Sequence, residues 1–283
     1  MVLPSRLMLL RTAVAQIPVT WDVEKNLAEI ARVVESCAGD DLVVLPEGAL
    51  SGYGADLSPL DRLDPAKLNA AAGELAALAR RTGVHLICGS LLYSDDRWWN
   101  GALVVTPGGA RRPYRKVNLA VSERGVLGAG SDLPVHRLAC AGGAVDVGVQ
   151  ICREIRFPEQ WRHLVGSGAQ VFAYLTHAAN PDEPPGVWRA HLVSRAAENQ
   201  RWLLAANAAD AASHCPTMIV SPRGEVVAET AGGQRAVLRA TIDLAAVSDW
   251  YLGQRRDDVL ESRYHGGPDG PDDREGGRRR PGR

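Results

Sequence analysis

Apolar and polar positions switch between two periods along nearly the whole chain. Residues 12–19 follow a strand-like pattern. Over residues 23–37, Val23, Leu27, Ile30, Val34 and Cys37 recur at helical spacing behind Asp22, a residue type that caps helix starts. Residues 41–45 (DLVVL) are a short, almost uninterrupted apolar run, as expected of a strand covered on both faces. An Ala/Leu-rich helix is predicted over 65–81 and a strand over 85–93. A hairpin is predicted over 102–116, turning at Pro107, Gly108 and Gly109. The strand at 144–151 runs directly into Cys152, and Pro158 opens a helix, because its fixed φ suits the first helical position. Strands at 170–176 and 202–206, a helix at 187–199, a hairpin at 217–229 turning at Pro222, Arg223 and Gly224, and a strand at 237–242 complete the pattern. This alternation predicts an α/β protein in which helices cover the outer faces of sheets.

Composition narrows the function. Of 283 residues, 46% are hydrophobic and 23% charged, which suits a packed core rather than wholesale disorder. Lys and Arg total 32 against 33 Asp and Glu, a formal charge of −1, without the basic excess of a nucleic-acid or anionic-membrane binder. Arg or Gly interrupts every apolar stretch before membrane-spanning length, and the start shows neither an unbroken apolar region nor a cleavage site, so neither a membrane span nor a signal peptide is expected. The five cysteines are odd in number and form no CxxC pair, which points to reduced thiols and a cytoplasmic location. Residues 266–283 contain only Gly, Pro, Asp, Glu and Arg and have no apolar surface to offset ordering entropy, so one domain over 1–265 and a disordered tail over 266–283 are expected.

Several chemistries lack their usual motifs. The chain contains no GxGxxG after the first strand, no GxxxxGK[ST], no HExxH and no GxSxG, and its seven histidines show no HxH or HxxxH spacing. Three strings remain in which an ionisable residue follows an apolar strand: PEGALSGY with Glu47, RKVNLAVSERGVLGAG with Lys116 and Glu123, and CREIRFPE with Cys152. Sites in open α/β sheets gather at the carboxyl ends of strands. A Cys near a helix start meets backbone N–H groups that favour its thiolate. Taken singly, each has a plainer explanation: a small buried hydrophobe for the Cys, a surface or helix-start charge for the Glu, a solvated cation for the Lys. Their occurrence together and in this order outweighs those explanations.

In these strings the chain resembles the nitrilase superfamily, the carbon–nitrogen hydrolases with a Glu-Lys-Cys triad. The resemblance extends from about residue 12 to about 251 and includes WRAHLVSRAAENQRWLLAAN and MIVSPRGEVVAE. It implies a four-layer α-β-β-α sandwich. It places Glu47 as general base, Lys116 in the triad, Cys152 as nucleophile and Glu123 as the second glutamate that orients Lys116. It further implies an oxyanion hole from the Lys116 ammonium and the Arg153 backbone N–H. Tyr53, the Trp98–Trp99 pair, His177 and Trp188 are expected around the pocket or its supports, with no metal and no cofactor. Asn118 stands where the family usually has His, which predicts altered loop packing rather than lost activity. The Arg153 side chain is expected in solvent or in a structural pair, with contact to an anionic substrate group as the alternative, and Arg156 is expected to pair with Glu159.

The implied activity is hydrolysis of a small linear amide through a thioester, releasing ammonia or an amine. An N-carbamoyl amino acid or amine hydrolase and a nitrilase are rivals within the class, and a non-catalytic binding protein on the same scaffold is the rival outside it. The resemblance also implies a homodimer or higher homo-oligomer. The interface is expected at residues 158–165, with Trp161 and Leu164, and at residues 243–255, with Val247, Trp250, Tyr251 and Leu252.

Overall fold

The computed structural model describes residues 8–179, 182–184 and 186–267. In chain order the elements are β1 (Leu9–Gln16), α1 (Val23–Ser36), β2 (Leu42–Val44), α2 (Pro65–Thr82), β3 (His85–Ser94), β4 (Arg97–Val105), β5 (Arg111–Arg115), β6 (Val135–Cys140), β7 (Gly143–Ile151), α3 (Pro158–Gly166), β8 (Val171–Thr176), α4 (Val187–Asn199), β9 (Trp202–Asn207), β10 (Thr217–Val220), β11 (Val226–Thr230) and β12 (Ala236–Asp243). Asp22 caps α1 by accepting the Glu24 and Lys25 N–H groups, each at 3.1 Å. Asp64 does the same for α2, where Pro65 takes the first position.

The strands form two six-stranded sheets, ordered β12-β1-β2-β3-β4-β5 and β11-β10-β9-β8-β7-β6. Each has a parallel centre, β1-β2-β3 or β7-β8-β9, with antiparallel strands on either side. Strand alternation sorts the side chains into layers. From the first sheet, Leu10, Val14, Leu42, Val44, Ile87, Ala102 and Val104 face the second sheet and join its core. Ala13, Ala15, Val43, Leu86, Cys88, Leu103 and Val105 face the other way, into a core shared with α1 and α2. In the second sheet β8 (VFAYLT) is buried along its whole length, lying between the first sheet and α3 and α4. The architecture is thus the expected four-layer α-β-β-α sandwich. Among the described residues no helix is long and apolar enough to cross a membrane.

The differences from the sequence reading have local causes. Strand β6 had not been foreseen, because VHRLAC interleaves charge with apolar positions and pairs as the outermost strand of its sheet. Strand β4 begins at Arg97, so the Trp98–Trp99 pair lies within it. The β3–β4 turn is carried by Asp95 and Asp96 at φ 55° and 52°, left-handed values that Asp tolerates better than most residues. In α3, Trp161 and Leu164 are fully buried in their own chain, and the Trp161 ring meets Phe172 edge-on at 4.9 Å. This overturns their expected place at an interface; only Trp250 and Tyr251 of the second segment present large exposed rings, at 62% and 53%. The chain also continues in place beyond the expected domain end, with the Gly267 N–H donating to the Ser131 carbonyl at 2.9 Å. The rest of the predicted disordered tail, 268–283, lies outside the described residues.

Candidate active site

Strand ends from both sheets meet at one point. Glu47 follows β2 through Pro46, Lys116 follows β5, and Cys152 follows β7. The Glu47 turn sits directly on β3. A Cβ at Gly89 would lie 2.2 Å from the Pro46 carbonyl oxygen and 2.5 Å from the Glu47 Cα, so only glycine allows this approach. The Lys116 backbone extends the β4–β5 ladder, its N–H donating to the Asn100 carbonyl at 2.8 Å.

Glu47, Lys116 and Glu123 are fully buried. The Lys116 Nζ donates to Glu47 Oε1 and to Glu123 Oε1, each at 3.0 Å. The remaining acceptor capacity of the carboxylates is met by fixed donors. The His177 backbone N–H reaches Glu47 Oε2 at 2.9 Å, the Tyr53 hydroxyl reaches Glu123 Oε1 at 2.7 Å, and the Ala120 N–H reaches Glu123 Oε2. Asn100, in β4, donates to both Glu47 and Glu123. Sequence reasoning missed Asn100; its available signal was a lone amide at the start of the apolar run NGALVV.

The electrostatics follow from this packing. Burial pulls the Lys116 ammonium down, but the charges of Glu47 and Glu123 outweigh it and raise its pKa. Burial pushes the Glu123 carboxyl up, while Lys116, Asn100, Tyr53 and the Ala120 N–H pull harder and leave it below the ordinary value. The Cys152 thiol is pushed up to about 12, by burial first and by Glu47 next, with Lys116 opposing. This runs opposite to the expectation that its position favours a thiolate. Burial withdraws the sulfur from water, and the Glu47 carboxylate adds to the rise more than Lys116 takes away.

Cys152 itself has φ 47°, a left-handed conformation uncommon outside glycine, and its carbonyl accepts the Tyr174 hydroxyl at 2.9 Å. Arg153 follows it with an exposed side chain. Arg156 pairs with Glu183, not with the expected Glu159, and also contacts the His191 ring nitrogen at 3.2 Å. The reason is direction: Arg156 lies 5.6 Å over the Trp188 ring, toward α4 rather than along its own helix.

The residues predicted around the pocket divide. Tyr53 and His177 reach the carboxylates directly, as above, the first through its hydroxyl and the second through its backbone. The His177 ring lies 3.8 Å from Asp210. Trp98 packs edge-on against Tyr93 at 5.0 Å and joins the apolar cluster around Tyr53, Leu57, Leu60, Leu91 and Leu127. Trp99 lies under Arg115, at 4.2 Å. Trp188 is buried beside His214, and among the described residues its indole N–H has no hydrogen-bond partner.

One more buried carboxyl, Glu154, had not been singled out from the sequence. It takes the Val117 and Asn118 N–H groups on Oε1 and the Ile151 N–H on Oε2. Asn118 therefore belongs to a loop fixed through its backbone. Burial pushes the Glu154 carboxyl up, against the pull of Tyr114 and these N–H groups. Among the described residues no group of three or more His, Cys, Asp and Glu is placed to hold a metal ion.

A family model for carbon-nitrogen hydrolases matches residues 11–251. An (R)-stereoselective amidase from Pseudomonas sp. is 32% identical over 248 residues, covering 83% of this chain and 87% of the relative. A 2-oxoglutaramate amidase from Bacillus subtilis is 33% identical over 214 residues, covering 72% of this chain and 78% of the relative. Among solved structures, an amidase from Nesterenkonia sp. matches with a TM-score of 0.75 at 25% identity, over 90% of this chain and 96% of that one. With the family pattern running through every strand that borders the buried carboxylates, the chain belongs to the carbon–nitrogen hydrolase family and is a hydrolase of carbon–nitrogen bonds.

Proposed function

We propose that the protein hydrolyses a small amide, with Cys152 as nucleophile, Glu47 as general base and acid, and Lys116 as electrostatic partner. The observation that carries this reading is the Lys116 ammonium held 3.0 Å from both Glu47 and Glu123 at the strand ends that also bear Cys152. The amidase names of the relatives support the substrate class. With the thiol pushed up, attack requires its proton to leave as the C–S bond forms, and Glu47 is the acceptor. The oxyanion is held by the Lys116 ammonium and the Arg153 backbone N–H. Donors of this kind are each typically worth about 10²–10³ in rate. Glu47 then gives its proton to the leaving nitrogen, and ammonia or an amine departs as the thioester forms. Water enters, loses a proton to Glu47 and attacks the thioester; that proton returns to the sulfur as the acid leaves. Glu123, fixed by Tyr53 and Asn100, holds Lys116 in place.

The test is an ammonia-release screen over ω-amides, N-carbamoyl compounds and nitriles, with Cys152→Ala as the blank. Release from at least one amide, absent in the blank, is expected. Release from N-carbamoyl compounds or nitriles alone would reassign the substrate class. Equal release by Cys152→Ala would remove Cys152 from the mechanism.

One catalytic domain over 1–265 is part of the same reading, supported by the extent of the family match. So are a cytoplasmic location, supported by five free thiols, and a homo-oligomer joined through the exposed Trp250 and Tyr251. Light scattering tests the last: Trp250→Asp is expected to yield a smaller species, and a monomeric wild-type chain would refute it.

A further inference from the structure

We propose that Glu154 is a positioning residue for the reaction, joining the strand end that carries Lys116 to the strand end that carries Cys152. These two ends belong to different sheets, and no backbone ladder links them. The fully buried Glu154 side chain spans the gap. On the Lys116 side it accepts the N–H groups of Val117 at 2.8 Å and Asn118 at 3.2 Å, the two residues directly after the lysine. On the Cys152 side it accepts the N–H of Ile151 at 2.8 Å, the residue directly before the cysteine. The Tyr114 hydroxyl, two residues before Lys116, lies 2.7 Å from both carboxyl oxygens.

Two features separate this from ordinary burial of a polar group. First, every partner is within two residues of Lys116 or Cys152, so a shift of the carboxyl moves the ammonium and the sulfur relative to each other. A misplacement on the order of 1 Å can cost about 100-fold in rate. Second, Cys152 holds a left-handed φ of 47°, which persists only where neighbours over-determine it. The Ile151 N–H bond to Glu154 before it and the Tyr174 bond to its own carbonyl clamp that turn from both sides. With its oxygens occupied by these donors, Glu154 is not placed as a proton carrier.

Glu154→Gln keeps the shape, but its amide nitrogen must face a backbone N–H on one side or the other. Glu154→Asp keeps the acid and withdraws it by one methylene. On an amide found by the screen, kcat should fall at least 100-fold in Glu154→Gln and about tenfold in Glu154→Asp. KM should stay within threefold in both. This arm rests on the amidase reading.

A second arm does not: labelling of Cys152 by iodoacetamide at pH 8 needs no turnover. The thiol's ionisation depends on its distances from Glu47 and Lys116, so the labelling rate in Glu154→Gln should change at least fivefold. Slower labelling means withdrawal from Lys116, and faster labelling withdrawal from Glu47. A folded Glu154→Gln with wild-type kcat, or with labelling changed less than fivefold, overturns the proposal. So does a loss confined to KM. If Glu154→Gln does not fold, wild-type kcat and labelling in Glu154→Asp overturn it. Failure of the amide screen with the labelling change intact would count against the substrate class alone.

Discussion

Lys116 and Asn100 donate to the same two carboxylate oxygens: Lys116 Nζ lies 3.0 Å from Glu47 Oε1 and from Glu123 Oε1, and Asn100 Nδ2 reaches both. A cation and a neutral amide thus hold two buried acids side by side. The arrangement adds to what burial does to the sulfur, since Glu47 raises the Cys152 thiol more than Lys116 lowers it. Moving the thiol proton to Glu47 leaves the total charge unchanged.

Asn100→Leu removes the neutral half of that pair. Hydrogen bonds to charged groups are worth about 1.5–3 kcal/mol, so kcat should fall between about 10- and 100-fold. Circular dichroism should show an unchanged fold. Steady-state ammonia release decides, and an undiminished kcat would show that Lys116 alone holds the acids.

Lys116→Met leaves two buried carboxylates without a cation. Removing one partner from a buried pair typically costs about 3–5 kcal/mol, and urea unfolding at pH 7 should show a loss of that order. The size of the loss depends on pH. In the wild type Glu123 sits below its ordinary value, so its contribution is present above the unfolded pKa and is lost as pH falls through the folded one. Without the ammonium, burial is no longer outweighed at Glu123, its folded carboxyl rises above the unfolded value, and the penalty shrinks as acid protonates it. The stability gap between variant and wild type should therefore narrow from pH 7 to pH 5.

Glu47→Gln should separate labelling from turnover. Glu47 is the second-largest cause raising the Cys152 thiol, after burial, while Lys116 pulls it down. Losing the carboxylate leaves the ammonium unopposed by it, so iodoacetamide should label the variant faster than wild type at pH 8 while hydrolysis disappears. Slower labelling would mean that Glu47 does not face the sulfur.

His136, in β6 at 4% exposure, is held down to about 4, by burial first and by the Arg112 charge next. An unfolded His takes up its proton near pH 6.5. Its contribution to stability is therefore complete above that value and is lost as pH falls from about 6.5 to about 4, by up to about 3 kcal/mol. His136→Gln should flatten that part of the stability curve, measured as urea midpoints at pH 7 and pH 4.5. An equal acid loss in both proteins would place the titration elsewhere.

Much of this site was legible along the chain, because its parts are local strings. PEG after DLVVL, RK after the 107–109 turn and CRE after an apolar strand each put one reactive group at a strand end, and no distant residue is needed to see it. The layering of helices and strands was legible for the same reason, since periodicity is a property of neighbours. The alternation supported stacked sheets with helices outside, and the resemblance supplied the specific four-layer architecture. What no linear pattern carries is which strand ends meet, and hence the protonation of the sulfur. Glu47, the Lys116–Glu123 string and Cys152 are far apart in sequence, and the charge facing Cys152 exists only once both sheets stack and water is excluded. Asn100 and Glu154 were invisible for a related reason: a buried amide or carboxyl declares its role through its donors and acceptors, and those are assigned by tertiary contact. The same holds for Trp161, whose sequence position suited an interface, but which the packing of α3 on Phe172 turned into core.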